Sequence, residues 1–351
     1  MKKIKVSRLI AGLTACSLVV LGVSISSAGA AAHKKAPYTV GFADQSLSQP
    51  FLLAVQSGMV TAASAAGDKI VLLNNNASDT QVLENAQLLA NDHVNAVVEF
   101  LLDASVGPAI RQIFKKAGIK TLITVDVAAK GFTFFGASNY ADGLLTGQAL
   151  GTAATSKGWT PATTYVVSIG VPEAGPVPAL RMTGMINGIA KTFPGIPSSQ
   201  ILSPDGLGAT ATSQTVTAAV LPEIPSTDHI IITGINDESV LGGLDAVQVA
   251  GRASMAIEGS QGLDAVGINQ VQTNSNWIGD TAYFPELYAK YIFQVIGDFR
   301  AGKKVSPYVF MPHVFIDSAN INEYYPAGAT STVKAPPGGI IFSNSPNSSA
   351  N

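Results

Sequence analysis

The stretch Tyr38-Thr-Val-Gly-Phe-Ala-Asp-Gln-Ser-Leu-Ser-Gln-Pro-Phe51 decides the fold class. Residues 38–43 form a short apolar run that predicts a strand. A polar loop comes next, and Pro50 after Gln49 predicts the opening of a helix. The run is continuous instead of alternating, which suits a parallel strand buried on both faces. The same arrangement recurs outward along the chain. Ile123-Thr-Val-Asp126, Asn236-Asp-Glu238 and Ile257-Glu-Gly259 follow or end apolar runs, and Arg181-Met-Thr-Gly184 lies in the first turns of a helix. Separate βα units that deliver polar groups to strand ends are how an open α/β sheet builds a ligand site.

Further strands are predicted at 70–73, 95–100 and 120–125, then at 164–169, 200–202, 229–233, 254–257 and 266–271. Helices are predicted between them at 80–91, 106–116, 142–156, 178–191 and 238–249, with an aromatic-rich helix at 281–301. This alternation implies right-handed crossovers and an α/β fold with parallel sheets. The elements suffice for two sheets of similar size, with a link near Ala137-Ser-Asn-Tyr140. From Thr330 the chain is rich in Ser, Thr, Pro, Gly and Asn, and 327–351 is expected to be a disordered tail.

The 351 residues are 47% hydrophobic and 13% charged, with a formal net charge of -2. No basic field is available to attract nucleic acid. Residues 1–8 are basic, 9–26 are mostly apolar, and Ala28-Gly-Ala30 is a small-residue cleavage site, so 1–30 is expected to be a secretory signal. The mature chain would begin near His33 and reside in the periplasm or cell envelope after Sec export. The only cysteine, Cys16, sits in Leu13-Thr-Ala-Cys16, which also fits a lipobox. The apolar run continues to Gly22, which argues against a lipid anchor at Cys16.

Metal ligation has little support, because His33, His93, His229 and His313 are scattered. A phosphate loop, a nucleophile elbow and a full dinucleotide fingerprint are all missing from the sequence. No cofactor is expected. Asp126, Asp237 and Glu258 could converge as catalytic carboxylates, so a secreted glycoside hydrolase stays open as the weaker reading, and no catalytic residue is assigned.

A sugar-type site needs planar hydrogen-bonding groups, a cation and an aromatic face. Gln49, Phe51, Asp126, Arg181, Asn236 and Glu258 supply these at strand ends and helix starts. Each also has a plainer role. Arg181 would make a helix-surface ion pair, Asn236 would cap a helix, and Asp126 would cap a turn. Phe51 and Trp277 would be packing residues.

Taken in order, these landmarks resemble the sugar-binding proteins of ABC importers, the ribose/galactose-type periplasmic-binding family. Gln49-Pro-Phe-Leu52 resembles that family's Asn-Pro-Phe-Phe, and Ile123-Thr-Val-Asp126 its Ile-Thr-Leu-Asp. Ser138-Asn-Tyr140 resembles its first crossover, and Arg181-x-x-Gly184 its ligand arginine motif. Asn236-Asp-Glu238 and Glu258-Gly259 resemble its Asn-Asp-Glu and Asp-Gly. The resemblance implies two doubly wound parallel-sheet lobes joined by three hinge crossovers near Ser138, Thr273 and Pro312. The N-terminal lobe would comprise 37–138 plus 274–311, and the C-terminal lobe 139–273 plus 312–326. Implied ligand contacts are Gln49, Phe51, Asp126, Arg181, Asn236, Glu258 and Thr273. Val127 stands where ribose binders carry an arginine, which argues against ribose itself. The implied partners are a small carbohydrate or polyol and an ABC permease, for a monomer that is not an enzyme. A role beside a chemoreceptor or sensor kinase is the alternative. Repressors that share this core begin with a DNA-binding helix-turn-helix, whereas an export signal is expected in that place here.

Overall fold

The structure is a computed structural model that describes residues 37–326 and 333–346. The expected signal segment with Cys16 and His33, and residues 327–332 and 347–351 of the tail, lie outside the described residues.

The chain first builds one lobe as β1 (Thr39–Asp44), α1 (Pro50–Ala66), β2 (Lys69–Asn74), α2 (Asp79–Asn91), β3 (Ala96–Glu99), α3 (Gly107–Lys116), β4 (Thr121–Val125) and β5 (Thr133–Gly136). It then builds a second as α4 (Asn139–Ser156), β6 (Thr164–Ile169), α5 (Ala179–Thr192), β7 (Ile201–Leu202), α6 (Thr210–Val220), β8 (His229–Gly234), α7 (Asp237–Val249), β9 (Ala256–Gly262), α8 (Ala265–Thr273) and β10 (Trp277–Ala282). The remaining elements are α9 (Pro285–Arg300), β11 (Tyr308–Phe310), β12 (Val314–Ile316), α10 (Ile321–Tyr324) and β13 (Ile341–Ser343).

The first sheet has the order β13-β11-β5-β4-β3-β1-β2 and the second β12-β10-β9-β8-β6-β7. Both are mostly parallel, with antiparallel pairing among the described residues only where β13 meets β11 and β12 meets β10. The two α/β lobes expected from the sequence are therefore present, each with one antiparallel edge strand.

Burial on both faces explains why the strands read as continuous apolar runs. In β3, Val97 packs into the layer with Leu89, Ile110 and Phe114. Its neighbour Val98 packs into the opposite layer with Leu52, Met59 and Ile292. Each such fully buried side chain contributes about 1.5–3 kcal/mol relative to exposure. In the second lobe α4 and α5 lie backbone to backbone. A Cβ at Gly143 would sit 2.1 Å from the Arg181 carbonyl, and one at Gly184 would sit 2.3 Å from the Tyr140 carbonyl. Those two glycines seat the first turns of α5, and Arg181 with them.

Three sequence expectations are corrected here. Residues 266–271 are not a strand but the body of α8, because Asp264 Oδ1 accepts from the backbone N–H of Val266 (2.7 Å) and Gly267 (3.4 Å) and starts a helix there. The last strand before the second crossover is instead β10, so the segment from Trp277 to Ala282 belongs to the second lobe. The chain crosses at Tyr283-Phe284, not at Thr273. The expected disordered tail also contains structure: β13 pairs with β11 in antiparallel register, Tyr308 opposite Ser343 and Phe310 opposite Ile341.

Candidate functional site

The C-terminal ends of both sheets face a shared cleft, where a cavity of about 90 Å³ lies between the lobes. The first lobe supplies Gln45, Gln49, Phe51, Leu52, Phe100, Leu101, Leu102, Asp126 and Val127. The second supplies Arg181, Gly208, Asn236, Asp237, Glu238, Gln261, Gly262 and Asp264, with the apolar Val171, Ala174, Pro178 and Ile235 beside them. Tyr283 lines the cavity from the second crossover.

Arg181 is the electrostatic centre. It is 7% exposed, so the helix-surface ion pair does not apply. Its Nε donates to Asn139 Oδ1 (2.5 Å), its Nη1 donates to the Ile235 carbonyl (3.0 Å), and its Nη2 lies 3.5 Å from Asp126 Oδ1. Its guanidinium carbon stands 5.0 Å from the centre of the Tyr283 ring, a cation–π distance. A rigid fork held on several sides suits Arg better than Lys.

Asp126 follows β4 with a left-handed φ of 54°. Its Oδ1 accepts from the Ala137 N–H (3.0 Å) and the Tyr288 hydroxyl (3.2 Å). Burial raises its carboxyl above the usual carboxylate range, and Arg181, the Ala137 N–H and the Tyr288 hydroxyl act against that rise. Turn capping and cleft lining are thus combined in one residue. Where the third crossover meets α4, His313 Nδ1 lies 2.8 Å from Asp142 Oδ1.

Besides the Arg181–Asp126 ion pair, two hydrogen bonds tie the lobes across the cleft. Gln49 Nε2 donates to the Gly208 carbonyl (2.9 Å), and the Phe51 N–H donates to Asp264 Oδ2 (3.2 Å). The Phe51 ring meets Tyr283 and Tyr288 edge-on at centroid distances of 6.5 and 5.4 Å. Asn236 caps α7 by accepting from the Ser239 N–H (3.1 Å), and its own amide donates to the Gly208 carbonyl (3.0 Å).

The structure brings together Gln49, Phe51, Asp126, Arg181 and Asn236 around the cavity. It places Glu258 and Thr273 elsewhere. Glu258 sits early in β9, opposite Ile232 and Trp277, three residues before Gln261. At about 3.3 Å per residue it falls about 10 Å short of the cleft. Both its carboxyl oxygens are buried without a partner, and burial pushes it up to about 7, with Lys157 acting against that shift. Thr273 ends α8 with its hydroxyl bonded to the Asn269 carbonyl (2.7 Å) on an exposed face. Trp277 is a packing residue, 3% exposed, whose indole N–H donates to Asp280 Oδ2 (3.1 Å).

The strand β9 runs further than the apolar residues suggest, so Gln261 and Gly262 occupy its cleft end. Gly262 has a φ of 125°, a conformation that L side chains rarely adopt. Gln261 Oε1 accepts from the Tyr283 hydroxyl. Asp237, Glu238 and Asp264 complete the acidic part of the lining. An Asp ahead of a helical apolar pattern is an N-cap signal, and it would have located Asp264 had 266–271 been read as helix.

Residues 40–304 match the periplasmic binding protein domain family, and this chain belongs to that family. No curated protein matches it in sequence. Its fold is similar to several solved binding proteins. An ABC transporter solute-binding protein from Mycobacterium smegmatis with bound glycerol shares 18% identity at a TM-score of 0.71, covering 85% of this chain and 99% of that one. A periplasmic solute-binding protein from Actinobacillus succinogenes with bound D-allose shares 19% at a TM-score of 0.67, covering 82% and 100%. A third, from Bacillus halodurans with bound myo-inositol, shares 16% at 0.68, covering 82% and 96%. Among the described residues no helix is long and apolar enough to cross a membrane.

Proposed function

We propose that this chain is an exported solute-binding protein that captures a small carbohydrate or polyol by hinge closure and delivers it to an ABC permease. One observation carries the reading: a cavity lined by both lobes at the strand ends, where closure buries a ligand between them. Gln49, Phe51, Asp126, Arg181 and Asn236 are the proposed contacts, with Gln261 in place of Glu258. Ligand that bridges the lobes stabilises the closed state, and the permease recognises that state.

The reading is of binding without chemistry. It is supported by Asp126, whose Oδ1 is engaged by the Arg181 guanidinium, the Ala137 N–H and the Tyr288 hydroxyl. The neighbours with bound glycerol, D-allose and myo-inositol support a polyhydroxyl ligand.

The test is a thermal-shift screen of the chain from His33 against pentoses, hexoses, polyols, amino acids and nucleosides. Ligand at 100 times its dissociation constant adds about 2.7 kcal/mol of stability. A raised midpoint with a sugar or polyol, recovered chemically unchanged, is expected. Stabilisation by amino acids or nucleosides alone would sink the carbohydrate reading.

A further inference from the structure

The small net charge conceals a polarity that the fold assembles. Parallel strands all start at one end of their sheet, and the helices between them return to that end. In the first lobe it lies opposite the cleft, and basic residues from distant parts of the chain collect there. Lys69 opens β2, Lys120 directly precedes β4, and Lys303 and Lys304 lie in the turn before β11. Lys115 and Lys116 close α3, and Arg300 closes α9. Lys130 and Arg111 complete the group. A Cβ at Gly131 would sit 1.8 Å from Arg111 Nε, so that glycine gives the guanidinium its place next to Lys130.

This end holds nine of the fifteen Lys and Arg among the described residues. It holds only three of their twenty-three Asp and Glu, namely Asp68, Asp92 and Asp298. The chain therefore does have a basic field, confined to one end of one lobe, on a molecule that is acidic elsewhere.

All nine cations are exposed. Arg300 pairs with Asp68 (2.7 Å) and Lys303 with Asp298 (2.6 Å). The other seven make no ion pair among the described residues. Cations at helix C-termini meet the negative end of the dipole, which accounts for Lys115, Lys116 and Arg300. It does not account for Lys69, Lys120, Lys130 or Lys304, which lie outside helices. Shape adds a second observation. Arg111, Lys115 and Lys120 line one hollow of about 280 Å³, together with Gly118, Ile119, Leu122 and Gly131. Three converging cations beside apolar side chains suit the phosphate of a lipid headgroup.

The geometry points to a docking surface for anionic phospholipid at this end of the first lobe, with Arg111, Lys115 and Lys120 around a headgroup phosphate. The course of the chain favours a lipid surface over a soluble anion. The chain enters the lobe at the same end, where Thr39 starts β1. Lys34, Lys35 and the expected export segment come just before it in the sequence. The segment expected to meet the membrane during export thus joins the molecule beside its basic surface. The cleft lies at the far end of the strands, so docking leaves ligand access open. The inference is independent of the carbohydrate reading.

The test is sedimentation of the chain from His33 with vesicles of phosphatidylcholine containing one third phosphatidylglycerol, and with vesicles of phosphatidylcholine alone. Each Lys or Arg held at an anionic surface tightens binding about fivefold. At about 0.1 M salt the mixed vesicles are expected to bind about tenfold or more tighter, a preference that fades towards about 1 M as screening shortens the reach of the charges. The triple variant Arg111→Gln, Lys115→Gln, Lys120→Gln should weaken that binding about tenfold or more. Lys157→Gln, Lys191→Gln, Lys290→Gln makes the same change in net charge elsewhere and should weaken it about twofold or less. Equal binding to both vesicles, or equal losses in the two variants, would overturn the inference. So would release from the vesicles by inorganic phosphate at constant ionic strength, which would assign the hollow to a free anion. Should the first variant fail to fold, Lys116→Gln with Lys130→Gln takes its place, with an expected loss of about fivefold or more; no loss would overturn the surface.

Discussion

The two lobes share one plan yet bring unequal charge to the cleft. The first lobe presents Phe51, Leu52, Phe100, Leu101, Leu102 and Val127, with Asp126 as its single ionisable group. The second presents Arg181, Asp237, Glu238 and Asp264. The difference lies in how the chain leaves each strand. After β3 and β4 it departs in apolar loops, whereas after β8 and β9 it turns at once into helices whose starts carry acids. Acids suit helix N-termini, where they meet the positive end of the dipole. Local helix chemistry thus places most of the charge on one wall of the cleft.

The contrast can be broken at four points. Arg181→Ala removes the centre of the charged wall, and ligand affinity should fall by about 2–4 kcal/mol. The midpoint should fall too, since Asp126 stays buried without its partner; unchanged affinity in calorimetry would remove Arg181 from the site. Phe51→Ala tests the apolar wall. Losing two edge-to-face contacts should cost about 1–3 kcal/mol in urea unfolding, together with weaker ligand binding; a stability change near zero would count against the aromatic packing.

Glu258→Gln separates a buried carboxyl in the body of the sheet from those at its cleft end. Glu258 is raised in the fold from 4.5 to about 7. The folded state therefore binds more protons than the unfolded one between those values, so native stability falls as pH rises through that window. The Gln variant should melt higher than the native protein at pH 8 and equally at pH 4, with ligand affinity unchanged. A drop in affinity would return Glu258 to the site. Thr273→Ala should be the quietest change, within about 0.5 kcal/mol in stability and silent in binding.

Much of this was legible in the chain. Short continuous apolar runs separated by amphipathic helices identified the two α/β lobes, since strands buried on both faces leave that pattern. Gln49, Phe51, Asp126, Arg181 and Asn236 stand at strand ends or helix starts and do meet at the cavity. The failures share a physical cause. Six apolar-rich residues, 266–271, suit a strand or a helix turn equally, and only the Asp264 cap decides between them. Conversely β10 contains Gly279, Asp280 and Thr281, so its composition conceals a buried strand. The resemblance implies a crossover near Thr273 and a contact at Glu258, whereas β10 carries the chain on to Tyr283-Phe284 and β9 reaches the cleft at Gln261. The acidic cluster was harder still, because it forms only when α7 and α8 start side by side.

The edge strand β13 changes what the hinge is. Val333 packs on the second lobe's core, and the Lys334 N–H donates to the Tyr324 carbonyl (2.9 Å). By Ile341 the chain is hydrogen-bonded into the first lobe's sheet. Between them run Ala335-Pro-Pro-Gly-Gly-Ile340, a further passage beside those at Ala137-Ser138, Tyr283-Phe284 and Met311–His313. Seven Cα steps span about 25 Å at full stretch. The tail is therefore a tie of fixed length, stiffened by two prolines and fastened at its far end by three residues of edge strand. Were the lobes to open as proposed, it would set a ceiling on how far the cleft can gape before that short strand has to peel away.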